Sequence, residues 1–134
     1  QTENAILIKE SDYLGKIFFK DLFSSLKLYM CEYTFEGHDE VVAYSLSIPF
    51  ASTLVFGSIM KPQEVPGTTF KKHLAIAHGL LREDDYLLTE ILFNPHTPDQ
   101  LQGIIDKLQE LKSIVDIKDS ARMKAFLDDV RARV

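Results

Sequence analysis

The apolar residues of this chain change their period twice within the first thirty-five positions. Ala5 to Ile8 is a short run rich in isoleucine between polar neighbours, the pattern of a buried strand. From Leu14 the spacing becomes three to four residues (Leu14, Ile17, Phe18, Leu22, with Phe19, Phe23 and Leu26 alongside), which predicts a helix capped by Ser11 or Asp12. Leu28 to Phe35 alternates again, with Tyr29, Cys31, Tyr33 and Phe35 on one side, and reads as a second strand. The three elements make a strand-helix-strand unit of about thirty residues, the minimum for a right-handed parallel crossover. Two parallel strands cannot bury themselves, so the unit calls for a larger sheet and for a chain that starts upstream of Gln1.

The next stretch, Gly37 to Lys61, dominates the rest. From Val41 to Met60 no residue carries a formal charge. Such a run is either membrane-spanning or covered by protein on nearly every side. Five hydroxyl residues (Ser45, Ser47, Ser52, Thr53, Ser58) and Pro49 argue against lipid, and the flanks carry no topogenic pattern, so the expectation is no membrane. Ala43, Ser47 and Ala51 place small residues on one helical face, where another helix can approach closely. The chain's own domain is expected to cover one side of this helix, and a second subunit is the candidate for the other. Its start is expected near Gly37 to Asp39. Pro49 should kink it, or leave a carbonyl for a hydroxyl such as that of Ser45.

Downstream, Lys61-Pro62 and Pro66-Gly67 punctuate a loop, and Thr68 or Thr69 is expected to cap a helix ending near Gly79 to Leu81. Glu83, Asp84 and Asp85 open another helix, which Asn94-Pro95 stops. Thr97 with Pro98 and Gln100 reads as a capping box for a long helix carrying Leu101, Ile104, Ile105, Leu108, Leu111 and Val115. Asp119 should cap the last helix, with Met123, Phe126, Leu127 and Val130 inward. The fold expected is mainly α: a β-α-β remnant followed by about five helices.

Composition changes this picture little. A net charge of −5, a pI near 5.3 and no basic cluster beyond Lys71 and Lys72 argue against a nucleic-acid surface. A single cysteine, Cys31, forbids an internal disulfide and fits a reducing, cytoplasmic location, and the N-terminus lacks a signal-peptide pattern. There is no glycine-rich phosphate loop, paired-cysteine metal pattern, H-E-x-x-H or G-x-S-x-G, so no metal is expected. His38 and Asp39 are adjacent, on different sides of a helix, and read as helix-start residues. His73 and His78 share a face only loosely, and His96 in its proline-bounded turn reads as solvated. Lys71 and Lys72, early in a helix, could join its free amides in holding a carboxylate; two surface lysines are the plainer alternative.

Four blocks in order, G-H-D-E-V-V-A-Y-S-L-S-I-P-F-A-S (37–52), P-G-T-T-F-K-K-H-L-A-I-A (66–77), D-D-Y-L-L-T-E-I-L-F-N-P (84–95) and the preceding strand-helix-strand, resemble the C-terminal half of prephenate dehydrogenases. The resemblance implies residues 1–36 as the end of a Rossmann-type NAD(P)-binding domain. It implies 37–134 as an all-α dimerisation and substrate domain like the C-terminal part of 6-phosphogluconate dehydrogenase. In that family prephenate is oxidised with NAD or NADP and loses CO₂, giving 4-hydroxyphenylpyruvate for tyrosine biosynthesis. The nicotinamide site and the catalytic histidine belong to the N-terminal domain, so this chain is expected to bind no cofactor and to be inactive alone. It should supply a homodimer interface through the 37–61 helix and the helices that follow it, and part of a substrate pocket. Candidate pocket residues are Ser47, Phe50, Lys71, Lys72, His73 and His78, with His38 and Asp39 at the helix start. Many members read H-L-P-H where this chain has Ser47-Ile48-Pro49-Phe50, and their arginine aligns near Ala75 or Gly79. Those departures leave arogenate or another small acid as alternative substrates, and a non-catalytic helical interaction module as the alternative function.

Overall fold

The computed structural model describes residues 3–134; Gln1 and Thr2, the first two positions of the predicted 1–36 segment, lie outside the described residues. The chain is 70% helical, with one two-stranded sheet at its N-terminal end. Strands β1 (Asn4–Ile8) and β2 (Tyr29–Tyr33) pair in parallel, Asn4 opposite Tyr29 and Ile8 opposite Tyr33, joined by helix α1 (Tyr13–Ser25). Asp12 caps α1 by accepting from the Gly15 amide, as its sequence position predicts. Phe35, expected as the last strand residue, is instead the first residue of the following helix and is 60% exposed.

The long helix runs unbroken from Phe35 to Ile59 as α2 (Phe35–Val42), a π-helical turn (Ala43–Ser47) and α3 (Ile48–Ile59). It starts at Phe35, two residues before the expected Gly37, because the Thr34 hydroxyl accepts from the Gly37 amide and claims the cap. His38 and Asp39 therefore lie inside the helix rather than at its start. The π turn stands immediately before Pro49, whose missing N–H and ring would break an ordinary ladder; widening the turn absorbs one extra residue and carries the helix on. The Ser45 hydroxyl does bond a carbonyl, that of Val41, four residues before itself. It cannot reach its own carbonyl, the one a proline at 49 deprives, so the suggested rescue of that group by Ser45 does not occur.

Four helices follow: α4 (Thr68–Leu80), α5 (Asp85–Leu92), α6 (Thr97–Ile117) and α7 (Ser120–Arg131). Asp84 and Asp119 cap α5 and α7 through the amides of Tyr86, Leu87 and Arg122. Gly67, not a threonine, occupies the α4 cap, and Thr68 is the first helical residue. The capping box at Thr97 is also absent: Thr97 is 1% exposed, and its hydroxyl is committed to the interior rather than to the start of its own helix. Asn94 closes that turn instead, its side-chain oxygen accepting from the His96 amide and its carbonyl from the Thr97 amide.

The core forms where the π turn meets α5 and α6. Ala43, Ser47 and Ala51 are 0%, 0% and 8% exposed, so the small-residue face is used within the chain. Ser47 Oγ donates to the Ile91 carbonyl at 3.1 Å and lies 2.7 Å from Thr97 Oγ1, tying the long helix to the end of α5 and the start of α6. Ile114, at 1% exposure, is the largest fully buried side chain; the expected α6 stripe included its neighbour Val115, which is 54% exposed.

Much apolar surface is left bare. Leu14, Phe18 and Leu26 of the α1 region are 74%, 63% and 59% exposed, and so are Tyr44 and Ile59 of the long helix, at 68% and 72%. A compact monomer of this mass exposes about 7,100 Å². This chain of 15.3 kDa exposes 10465 Å².

Candidate functional site

The long helix, α4 and α5 enclose a groove of about 570 Å³ beside Pro49 and Phe50. Leu46, Ile76, Leu80 and Leu87 make its walls apolar, and its one charged lining residue is Glu83. Pro49 has no N–H to give, and the π turn behind it sets the direction in which Leu46 and Phe50 leave the helix. Gly79 also lines this groove, and a side chain there would meet open space. The groove can take a ring or a short aliphatic body, but it offers no cation to a carboxylate.

The predicted pocket residues do not converge here. Phe50 lines the groove. Ser47 is fully buried with its hydroxyl engaged by Ile91 and Thr97, so it touches no ligand; packing of the small-residue face has taken it inward. His73 is exposed and stacks on Phe56, ring centroids 5.3 Å apart. His78 belongs to a smaller cavity of about 250 Å³ with Leu54, Gly57 and Leu74. Lys71 and Lys72 are exposed on the first turns of α4, outside the groove, and the Lys71 amide already donates to the Gly67 carbonyl. An anion held by both ammonium groups and free amides therefore cannot use that N–H.

His38 and Asp39, though adjacent, do approach: Nδ1 lies 3.4 Å from Asp39 Oδ1. The Asp39 carbonyl accepts from Asn94 Nδ2 at 2.9 Å, which fastens the turn before α6 to α2. That turn carries His96, whose side chain is 27% exposed rather than freely solvated as expected. Its Nε2 is shut off from water and stands 3.0 Å from Glu36 Oε1. With Glu40, one turn further along α2, these residues bring one ligand atom each within 4.8 Å of one another. Sequence inspection missed this group because His96 is sixty residues from Glu36. The Glu36/Glu40 spacing is the one part of it visible in the chain.

Resolved shifts in ionisation lie on the surface. Lys20, bonded to Glu32 and adding its charge, holds that carboxyl below the usual range. At the far end Arg133 lowers Asp129 in the same way, and Asp129 raises Arg133 in return. No protein-family model matches this sequence, and no curated protein matches it.

Proposed function

We propose that this chain is the C-terminal portion of an NAD(P)-dependent dehydrogenase of the prephenate dehydrogenase type, supplying the dimer interface and an apolar wall of the substrate pocket. Residues 1–36 are then the end of the nucleotide-binding domain and 37–134 the helical domain. The observation that carries the reading is a parallel β1-α1-β2 unit leading straight into a 25-residue apolar helix, only one side of which the chain itself covers. Parallel strands are normally buried on both faces, so β1, β2 and the exposed face of α1 are what the edge of a larger sheet provides. The bare side of the long helix is what a homodimer needs.

The substrate role is narrower than the resemblance alone implies. The groove at Phe50 accepts the ring of prephenate or arogenate, while the cation for a carboxylate comes from the nucleotide-binding domain or from the partner subunit. Assaying the complete gene product with prephenate, arogenate and simple hydroxy acids, each with NAD and with NADP, tests this. Reduction of nicotinamide with one of the two cyclohexadienols is expected; reduction only with another small acid keeps the architecture and changes the reaction. The dispersal of Ser47, Lys71, Lys72, His73 and His78 favours a second reading, a helical interaction module without catalysis. A complete gene product that dimerises yet reduces no nicotinamide with any of these acids establishes that alternative.

A further inference from the structure

We infer that Glu36, Glu40 and His96 form a binding site for a divalent transition cation of the zinc class, clamping α2 to the turn before α6. The inference stands on two observations that are independent of the dehydrogenase reading. The first is geometric: the three side chains, from two segments far apart in sequence, bring one ligand atom each within 4.8 Å of one another. The second is His96 Nε2 itself. It is 3.0 Å from Glu36 Oε1, yet it makes no hydrogen bond and is closed to solvent, the single orphaned buried side-chain polar atom among the described residues. Buried polar atoms ordinarily find a partner, and a nearby carboxylate that is off the ring's axis is not one.

A shared cation accounts for the Glu36–His96 spacing and gives the orphaned nitrogen a partner, with Glu40 closing in on the ion as it binds. Nitrogen and oxygen ligands about 2.1 Å from one ion, at angles between a right angle and tetrahedral, stand about 3.0 to 3.4 Å apart without pointing at each other. Glu36 and Glu40 are one turn apart on α2 and project from the same face. The His96 end is fixed before any ion arrives, because Asn94 ties its turn to the Asp39 carbonyl and Thr97 is buried against Ser47. Glu36 is 71% exposed on its side chain, so an ion can enter from solvent and keep water in its remaining positions. An imidazole with two carboxylates suits zinc, cobalt or manganese, whereas magnesium and calcium prefer an all-oxygen shell. The cluster also lies just beyond the carboxyl end of β2, three residues past Tyr33. Parallel sheets gather their ligands at that end.

The test is calorimetric titration of the chelator-stripped protein with zinc chloride, magnesium chloride serving as the hard-ion control, in the native chain, Glu40→Gln and His96→Gln. The native chain is expected to take up a single equivalent of zinc and none of magnesium, with a rise in Tm on loading. Each variant should lose at least the roughly 10- to 100-fold in affinity that disturbing even a supporting group costs a metal site. Glu40 is exposed, so Glu40→Gln should keep the native circular dichroism spectrum and gives a clean result if His96→Gln misfolds. Substituting cobalt should give visible absorption bands in the native chain that both variants lack. Zinc bound equally well by native chain and Glu40→Gln, or no uptake by the native chain at millimolar zinc, would leave a Glu36–His96 ion pair and overturn the inference.

Discussion

The two sides of the Phe35–Ile59 helix meet opposite fates in one chain. On one side Ala43, Ser47 and Ala51 are sealed, and the only polar atom among their side chains is bonded to Ile91 and set against Thr97. On the other, Val55 and Ile59 are 51% and 72% exposed, although they are larger and more apolar than the residues that were buried. Along this helix burial has followed size and fit rather than hydrophobicity. Small side chains let the backbones of the π turn, α5 and α6 approach, and the bulky ones stay exposed, as a docking surface requires. The surplus of about 3,300 Å² over a compact monomer exceeds by several times the roughly 800 Å² per partner of a standard interface. Large exposed apolar residues lie on every helix of the chain, α1 and the long helix among them.

The sharpest way to break this contrast is to overfill the sealed side. Ala43→Leu, at a position with no exposed surface, should cost about 1–3 kcal/mol and lower the denaturant midpoint accordingly. The same change at exposed Ser52, on the surface of α3, should stay within about 0.5 kcal/mol. Equal effects at the two positions would erase the distinction between the sides.

The buried hydroxyls sharpen the same contrast at a smaller scale. Ser47→Ala should cost about 1 kcal/mol, because Thr97 Oγ1 still has the Ile91 carbonyl at 3.4 Å to turn to. Thr97→Val should cost a similar amount for the mirrored reason. The double variant deprives Ile91 of both hydroxyl donors and leaves its carbonyl only long backbone contacts such as that from the Asn94 amide at 3.4 Å, so a double-mutant cycle should return a coupling of about 0.5 kcal/mol or more. Strict additivity would mean the three groups do not act as one contact.

The smallest effect belongs to the exposed strand. Lys20 lowers the Glu32 carboxyl, so their pairing adds stability above the unfolded value near 4.5 and loses it as pH falls through the lower folded value. The difference in Tm between the native chain and Glu32→Gln should therefore be small near neutrality, smaller in high salt, and absent in strong acid. A difference that grows on acidification has the wrong sign for this account.

What the sequence conveyed about the fold and what it withheld follow the same physical line. Strand and helix periods, the caps at Asp12 and Asp119, and the disturbance at Pro49 are local, and they were readable within a few residues. Thr97 misled because a T-x-x-Q pattern is equally local, whereas the value of its hydroxyl is set fifty residues away at Ser47. The candidate site was least legible. Whether Lys71, His73 and His78 face Phe50 depends on how α4 is rotated against the long helix, which side-chain packing decides. His96 meets Glu36 only because Asn94 holds its turn to Asp39, a contact no periodicity reveals.

The proposal on which the functional reading turns is that the exposed side of the long helix is an interface for a second copy of this chain. Sedimentation equilibrium over a range of concentrations, on the native chain and on Val55→Asp with Ile59→Asp, tests it most directly. The native chain should sediment at twice its 15.3 kDa, and the doubly substituted one as a folded monomer with an unchanged circular dichroism spectrum. A native chain that remains a well-folded monomer at every concentration would contradict the claim.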